Sequence, residues 1–289
     1  MKNISNKKII HNFDKLIDSP LIITIPHSGR EYSGKYIKNA SIKGNEIRGS
    51  EDPFLDLLLK RKSMKNYFCA YANFPRMFVD LNRHPREINP NLFKDIPEGF
   101  EIMSSDYSKS GYGVIPDLVG IKKIYKEKLP WSEYDFRIKN YHEEWYSLIQ
   151  NNNLKLLKRY NEILIIDIHS MPSTNYHEYE LPPFVLGDKN GSSCKKTYID
   201  NIKGFFNKKD LKIAYNYPYA GQYFIKKFGM NNDKINVVQI EINRNIYMNE
   251  KTYKLKEDEF ILLRNLMEEL FCELQKVLLS KNISNIAAE

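Results

Sequence analysis

Two apolar runs in this chain are each followed by a His-Ser pair with a proline close by. Residues 21–25 (LIITI) precede the sequence PHSG at 26–29, and residues 163–168 (ILIIDI) precede the sequence HSMP at 169–172. A continuous apolar run rich in β-branched residues is typical of a strand buried on both faces of a sheet. Proline cannot extend the hydrogen-bonded ladder, so Pro26 and Pro172 predict where the two strands end. We therefore expect His27 and His169 at or just beyond the carboxyl edge of central strands, where open α/β sheets bind ligands.

Further strands and helices are predicted along the rest of the chain. Period-two alternation predicts strands at 74–83 and 237–244, and a short apolar run predicts one at 184–188. Helical spacing predicts helices at 47–60, 132–157, 192–206 and 257–277. Ser50 is the candidate N-cap of the first helix, which would place Glu51 and Asp52 in its first turn. With 289 residues, the chain fits an α/β fold in a single domain, 1–289.

Composition narrows the classes of partner. The formal net charge is +8, with 44 Lys and Arg against 36 Asp and Glu, but the lysines are spread along the chain. This predicts a solvated basic surface that attracts anions, and no nucleic-acid partner, because there is no basic stripe interleaved with aromatic residues. Three scattered cysteines without a CxxC pair indicate a reducing compartment. We expect a cytoplasmic protein without a membrane segment, because no apolar run approaches about 18 residues and no signal-peptide pattern is visible.

The two histidines are the first candidates for chemistry. Either one alone fits a core histidine beside a turn, but two strand ends with His-Ser form a stronger signal. Two histidines and one carboxylate would give the three-ligand, one-open-position pattern of a catalytic zinc site. Glu51 and Asp52 are candidates for the carboxylate, with complementing a helix dipole as the alternative role. Asp167, or a backbone carbonyl, could fix the tautomer of His169 from behind.

A carboxylate and several arginines complete the candidate site. Glu241 lies in a predicted strand among apolar neighbours, where burial favours a raised pKa that suits a general base; an ion pair with Arg244 or a lysine is the alternative. Arg83 would leave its predicted strand as a planar clamp for an acidic substrate. Arg137, Arg244 and Tyr219 are further candidates for binding the substrate, with simple solvent exposure as the alternative for Arg137.

Several motifs together resemble a known family. They are PHSG (26–29), ED (51–52), PRMFVDLNR (75–83), GVIP (113–116), DIHSMP (167–172), PYAG (218–221) and QIEINRNIYM (239–248). In this order they resemble the N-formylglutamate amidohydrolase family, and more distantly the zinc carboxypeptidases and the aspartoacylase and succinylglutamate desuccinylase enzymes. The resemblance implies a three-layer sandwich with a mixed, mostly parallel central sheet, carboxypeptidase-like (phosphorylase/hydrolase-like). It also implies hydrolysis of N-formyl-L-glutamate, a small acidic N-acyl amino acid, to formate and L-glutamate, at the end of one route of histidine degradation.

The same resemblance implies roles for particular residues. His27 and His169 would bind one zinc ion per chain, although another divalent metal would fit the same ligands. Glu241 would be the general base, Arg76 would polarise the scissile carbonyl, and Asn82 and Arg83 would bind the substrate carboxylate.

The third ligand is where this sequence departs from the carboxypeptidase-like pattern. Those enzymes take a carboxylate from H-x-x-E, but the third residue after His27 is Arg30. Asp52 is the preferred ligand, because the Glu-Asp pair belongs to the formylglutamate pattern, and Glu51 and Glu31 stay open. Another N-acyl amino acid or a peptide terminus is the alternative substrate, and a non-catalytic binding protein is a further alternative. The sequence does not predict an oligomeric state.

Overall fold

A computed structural model of the chain describes residues 7–59, 63–175 and 177–286. The chain divides into two compact units. One unit comprises the described parts of residues 11–25, 54–70 and 151–289, and the other those of residues 1–10, 26–53 and 71–150. The single-domain assignment made from the sequence stays a prediction.

A seven-stranded sheet forms the framework of the fold. Its strands are β1 (Ile9–His11), β2 (Leu21–Ile25), β3 (Phe68–Ala72), β4 (Ile163–Met171), β5 (Phe184–Gly187), β6 (Ile213–Tyr215) and β7 (Ile235–Asn243). They lie in the order β1-β3-β2-β4-β7-β5-β6. The β2–β4, β4–β7 and β5–β6 pairs are parallel, and β5 pairs with β7 in the antiparallel sense. The sheet is thus mixed and mostly parallel, which confirms the predicted α/β fold; the sandwich of three layers stays a prediction.

The central strands form where the apolar runs predict them. Every residue of β2, β4 and β7 is buried, as expected for strands covered on both faces. β2 ends directly before Pro26, and β4 ends at Met171, directly before Pro172, so both prolines mark strand ends. β5 and β7 confirm the predicted strands at 184–188 and 237–244 with small shifts of their bounds.

Helices account for most of the remaining regular structure. The α-helices are α1 (Gly34–Ile37), α2 (Asp106–Lys109), α3 (Trp131–Arg137), α4 (Glu143–Leu157), α5 (Lys196–Asn207), α6 (Tyr223–Gly229) and α7 (Glu257–Ile286). A π-helical turn, Ile138–His142, joins α3 to α4, so the helix predicted at 132–157 is confirmed as one helical stretch. α5 and α7 confirm the helices predicted at 192–206 and 257–277.

Short 3₁₀ turns and two-residue strand pairs complete the regular structure. The 3₁₀ turns are Gly44–Ser50, Leu55–Leu58, Ser63–Lys65, Pro90–Leu92 and Arg244–Ile246. The short pairs are Phe93–Lys94 with Leu129–Pro130, Leu118–Val119 with Lys122–Lys123, and Met248–Asn249 with Lys254–Leu255. Within the described residues, no helix combines the length and the apolarity that crossing a membrane requires.

The prediction of a strand at 74–83 is wrong. Phe74 to Arg83 form a series of turns without regular hydrogen bonding to the sheet. Met77, Phe78, Val79 and Leu81 are all buried, and so is Asp80, so the alternating residues do not separate a buried face from an exposed one. The amide of Asp80 instead donates to the carbonyl of Val114 at 2.8 Å. Arg83 therefore leaves a buried loop and not a strand.

The prediction of a helix at 47–60 is also wrong. Two 3₁₀ turns, Gly44–Ser50 and Leu55–Leu58, occupy most of this segment, and Lys60 lies outside the described residues. Pro53 disfavours helical backbone at Asp52, and Phe54 has a left-handed φ of 66°. Glu51 and Asp52 therefore lie in a loop between the two 3₁₀ turns and not in the first turn of a helix.

Candidate metal centre

His169 lies in β4, two residues before its end, with its imidazole held by a carboxylate. Its Nε2 is 2.8 Å from Oδ2 of Asp167. The other oxygen of Asp167 accepts a 2.6 Å hydrogen bond from the hydroxyl of Thr24, which is its register partner on β2. Asp167 thus holds the His169 ring from behind, as the sequence predicts. A carboxylate at Nε2 favours the tautomer in which Nδ1 presents a lone pair.

Glu241 is the register partner of His169 on the adjacent parallel strand β7. Partners on neighbouring strands lie about 4.8 Å apart and project to the same face of the sheet. Glu241 is buried, and its Oε1 accepts a 2.6 Å hydrogen bond from Nε2 of Gln239. The strand geometry therefore places a carboxylate beside His169 and fixes its orientation through Gln239.

His27 follows β2 in a tight turn. A Cβ on Gly29 would lie 2.0 Å from the carbonyl oxygen of Phe74, so the turn packs against the neighbouring backbone in a way that glycine alone allows. The amide of Asp52 donates to the carbonyl of His27 at 2.9 Å. This bond ties the loop that carries Asp52 to the turn that carries His27. Nδ1 of His27 lies 3.4 Å from Oδ2 of Asp52.

Asp80 supports His27 as Asp167 supports His169. Oδ1 of Asp80 is 2.8 Å from Nε2 of His27 and accepts the amide of Asn82 at 2.8 Å, and Oδ2 accepts Nε of Arg76 at 2.9 Å. Burial opposes ionisation of Asp80, but Arg76, His27 and Arg83 outweigh it and hold its pKa well below the usual range. An ionised carboxylate can only accept, so Nε2 of His27 donates and Nδ1 carries the lone pair.

The ligand atoms of His27, Asp52 and His169 lie within 4.8 Å of one another, and all three residues are buried. Two imidazole nitrogens and a carboxylate oxygen form a donor set that suits zinc and related divalent metals, and a carboxylate behind each histidine is typical of metal sites. The other two carboxylates considered from the sequence have other contacts: Glu51 binds Arg48 and Tyr32, and Glu31 accepts the amide of Ser33. The geometry thus favours Asp52 as the third ligand.

Arg83 is held rigidly in a buried position. Its Nε donates to the carbonyl of Tyr112 at 3.0 Å, its Nη1 donates to the carbonyl of Asn82 at 3.1 Å, and its guanidinium lies 4.1 Å from the ring centre of Tyr107. Nη2 makes no hydrogen bond with any described residue. The guanidinium is therefore oriented by the protein and keeps donors for an anion. Asn82 is likewise buried beside it.

The other predicted substrate-binding residues have different surroundings. Arg137 is buried and donates to Glu133, Tyr125 and the carbonyl of Phe78. These contacts stabilise the packing around its own helix. Arg244 follows β7 directly, and its Nε donates to the hydroxyl of Ser170 on β4 at 3.1 Å. Tyr219 is partly exposed, and its carbonyl oxygen lies next to Gly187 at the end of β5. Arg244 thus follows the strand that carries Glu241 and contacts the residue that follows His169.

Sequence reasoning missed the role of Asp80. The residue appears within the quoted motif PRMFVDLNR, but the predicted strand assigned it to one face of a sheet. The useful signal was the combination of an acid that follows Arg76 by four residues and precedes Asn82 and Arg83. A carboxylate among three such donors is typical of a buried network and not of a solvated strand face.

The fold and the buried His–Asp–His group define an α/β protein with a site able to bind a divalent metal. A model of the N-formylglutamate amidohydrolase family matches residues 19–248, and the chain belongs to this family. The crystal structure of N-formylglutamate amidohydrolase from Ralstonia eutropha JMP134 superposes with a TM-score of 0.87 and 26% identity, over 95% of this chain and 99% of that one. Family and neighbour indicate that the chain is an amidohydrolase.

A second solved structure shows the same fold at lower similarity. The gene product Atu2144 from Agrobacterium tumefaciens has a TM-score of 0.64 and 16% identity, over 98% of this chain and 97% of that one. At this identity the likeness concerns the fold alone. No protein of curated function matches the sequence significantly. The distant likeness to zinc carboxypeptidases stays a prediction.

Proposed function

We propose that this chain hydrolyses the amide bond of N-formyl-L-glutamate to formate and L-glutamate, with one zinc ion held by His27, Asp52 and His169. The observation that carries the proposal is the buried His–Asp–His group with Glu241 in register beside His169. Membership of the N-formylglutamate amidohydrolase family supports the choice of substrate.

The residues present fit a zinc ion. Nδ1 of each histidine would be the ligand atom, because a carboxylate lies against Nε2 in each case. Zinc bound by two nitrogens and one carboxylate oxygen would keep an open position, where it lowers the pKa of water to about 7 and polarises an amide carbonyl. The burial of all three ligands excludes bulk water from the donor set.

Glu241 supplies the proton transfers of the reaction. Its carboxylate takes a proton from the attacking water as the new C–O bond forms, and it delivers that proton to the amide nitrogen as the C–N bond breaks. Gln239 donates to Oε1 and so fixes the orientation of the carboxylate during both transfers. The products, formate and an amine, balance the atoms of the amide and one water.

Fixed positive charges would select and orient an acidic substrate. Arg83 and Asn82 bind a substrate carboxylate, because the Arg83 guanidinium is already oriented by Tyr112, Asn82 and Tyr107. Arg76, held by Asp80 through Nε, stabilises the negative charge that develops on the carbonyl oxygen. Arg244, next to the strand ends of β4 and β7, is a second candidate for a carboxylate.

A panel of substrates tests this function. The purified chain should release formate from N-formyl-L-glutamate, lose this activity on chelation and regain it with zinc. N-acetyl-L-glutamate, N-succinyl-L-glutamate and an N-formylated neutral amino acid serve as controls for the acyl and carboxylate pockets. Faster turnover of another acyl group would redirect the proposal to that substrate, and activity insensitive to chelation would contradict the metal.

A further inference from the structure

Two adjoining cavities in the unit that includes residues 71–150 share one wall. The first has a volume of about 430 Å³ and lies beside Asn89, Asp117 and the hairpin that follows it. The second has a volume of about 550 Å³ and lies beside Lys38 to Ser41. Lys126, Glu127 and Lys128 line both. We call the two cavities together the lysine groove, and its residues are separate from the metal ligands.

The lysine groove concentrates positive charge. Lys109, Lys123, Lys126 and Lys128 line the first cavity, and Lys38, Lys43 and Lys94 are added by the second. All seven are exposed, and no salt bridge joins them to a carboxylate of the described residues, although Lys123 interacts electrostatically with Asp117. Asp117 and Glu127 are the acidic residues of the lining. Nearby, by contrast, Lys122 pairs with Glu46 at 2.5 Å. Seven lysines against two acidic residues leave an excess of positive charge that repels itself, and a bound anion relieves that repulsion.

The type of cation indicates the type of anion. Among the described residues that line the groove there is no arginine, so the planar fork that binds carboxylates in a bidentate way is missing. Lysine binds phosphoryl groups as a point charge, and several lysines suit a ligand with several phosphoryl groups. The lysines at the shared wall and on either side of it are therefore suited to such a ligand.

The lining also argues against a nucleic-acid strand. Base binding requires exposed aromatic rings on which bases stack. Tyr125 is the aromatic residue of the described lining; it is buried, and its hydroxyl accepts a hydrogen bond from Nη1 of Arg137. It offers no stacking platform.

We propose that the lysine groove is a second ligand site, which binds a small oligophosphate without a stacking base. The phosphoryl groups contact Lys126 and Lys128 at the shared wall and the remaining lysines on either side. Glu127 lies at the same wall and opposes tight binding, which favours reversible occupation. This site is independent of the proposed hydrolysis, because it involves neither the metal ligands nor Glu241.

Calorimetric titration with inorganic triphosphate tests the proposal. Lys126→Ala/Lys128→Ala should weaken binding by about tenfold, because two exposed charges at the shared wall are lost. Glu127→Gln should strengthen it. Binding should also weaken as salt is raised from about 0.05 M to about 0.3 M.

A charge-matched variant distinguishes binding at the lysine groove from general electrostatic attraction of triphosphate to a basic protein. Lys155→Ala/Lys158→Ala removes two exposed lysines that do not line the groove and should leave the affinity unchanged. Chelation of a bound metal by triphosphate would be the same in every variant, so it cannot imitate the expected difference. Equal weakening in both double variants would overturn the proposal, as would much tighter binding of a single-stranded oligonucleotide of similar charge.

Discussion

At the scale of single residues, the site depends on two buried aspartates behind the histidines. Oδ1 of Asp80 and Oδ2 of Asp167 each lie 2.8 Å from Nε2 of a histidine, which favours Nδ1 as the nitrogen that would bind a metal. Each aspartate is held in turn by its own donors, Arg76 and the Asn82 amide in one case and Thr24 in the other. Such partners hold ligand geometry in place before the metal arrives.

Replacing Asp80 by Asn should weaken zinc binding by about 10–100-fold, because the amide cannot supply the charge that orients His27 and pairs with Arg76. Competition with a chromophoric chelator measures the zinc affinity. Asp233→Asn, at an exposed position, removes the same charge elsewhere and should leave the affinity unchanged. An unaltered zinc affinity in the Asp80 variant would remove it from the metal centre.

Replacing Glu241 by Gln should lower kcat by about 10²–10⁴-fold while zinc content stays the same, because proton transfer is lost and no ligand is removed. The substitution keeps the shape of the side chain beside Gln239. Formate release and elemental analysis on the same preparation provide the measurement, and Glu259→Gln on the exposed face of α7 is the control. Lost zinc would indicate that Glu241 is a ligand and not the base.

Asp117 gives the stability a pH dependence. Burial raises its pKa to about 6 from 3.8, although Asn89 and Lys123 act in the opposite direction. The folded state therefore holds this proton to higher pH than the unfolded state, so its contribution to stability is complete below about pH 4 and is lost as pH rises through about 6. Because the residue is partly exposed, the change is about 1 kcal/mol and not the full shift. Denaturant unfolding at several pH values should show that Asp117→Asn removes this loss; parallel wild-type and variant profiles would contradict it.

At the scale of elements, the turn after β2 depends on the absence of a side chain at Gly29. A Cβ there would lie 2.0 Å from the carbonyl oxygen of Phe74, which is rigid backbone. Gly29→Ala should lower the free energy of unfolding by about 2 kcal/mol or more and displace His27. Gly204→Ala is the matched control, because a Cβ there meets nothing within 4 Å in α5, and alanine should stabilise the helix by up to about 1 kcal/mol. Chemical denaturation of both variants tests the contrast.

The sequence predicts the strands better than the loops, for a physical reason. β2, β4 and β7 are long apolar runs that end at prolines or polar residues, and these features depend on the local chain alone. Residues 74–83 also alternate between two sets of side chains, but tertiary contacts bury both sets. The period of two therefore does not indicate a strand here. At 47–60, Pro53 and the left-handed Phe54 break a helix that the spacing of apolar residues predicted.

The candidate site follows the same division between local and long-range signals. Asp167 precedes His169 by two residues on one strand, so its role could be predicted from the period of a strand. Asp80 is 53 residues from His27 along the chain, and no local pattern connects them. Glu241 was found because it is polar in an apolar strand, but its register against His169 required the structure.

At the scale of the whole molecule, the metal centre predicts a link between metal binding and stability. The candidate ligands come from distant parts of the sequence, so the unfolded chain cannot assemble them, and the proposed zinc ion would bind the folded state. At a zinc concentration about 100 times its Kd, the folded state gains about 2.7 kcal/mol. For a chain of this size that gain raises Tm by about 5–10 °C, which chelation should reverse in a thermal melt.

The same melt identifies the third ligand without measuring activity. Asp52→Asn should abolish the increase in Tm on adding zinc, because the carboxylate 3.4 Å from Nδ1 of His27 is lost. Glu31→Gln should keep the full increase, since Glu31 is partly exposed and binds the amide of Ser33. Glu51→Gln is less informative, because it also breaks the buried pair with Arg48 and lowers the starting Tm. If the increase in Tm on adding zinc survives in the Asp52 variant and disappears in the Glu31 variant, Glu31 and not Asp52 is the third ligand. The two histidines would keep their proposed roles.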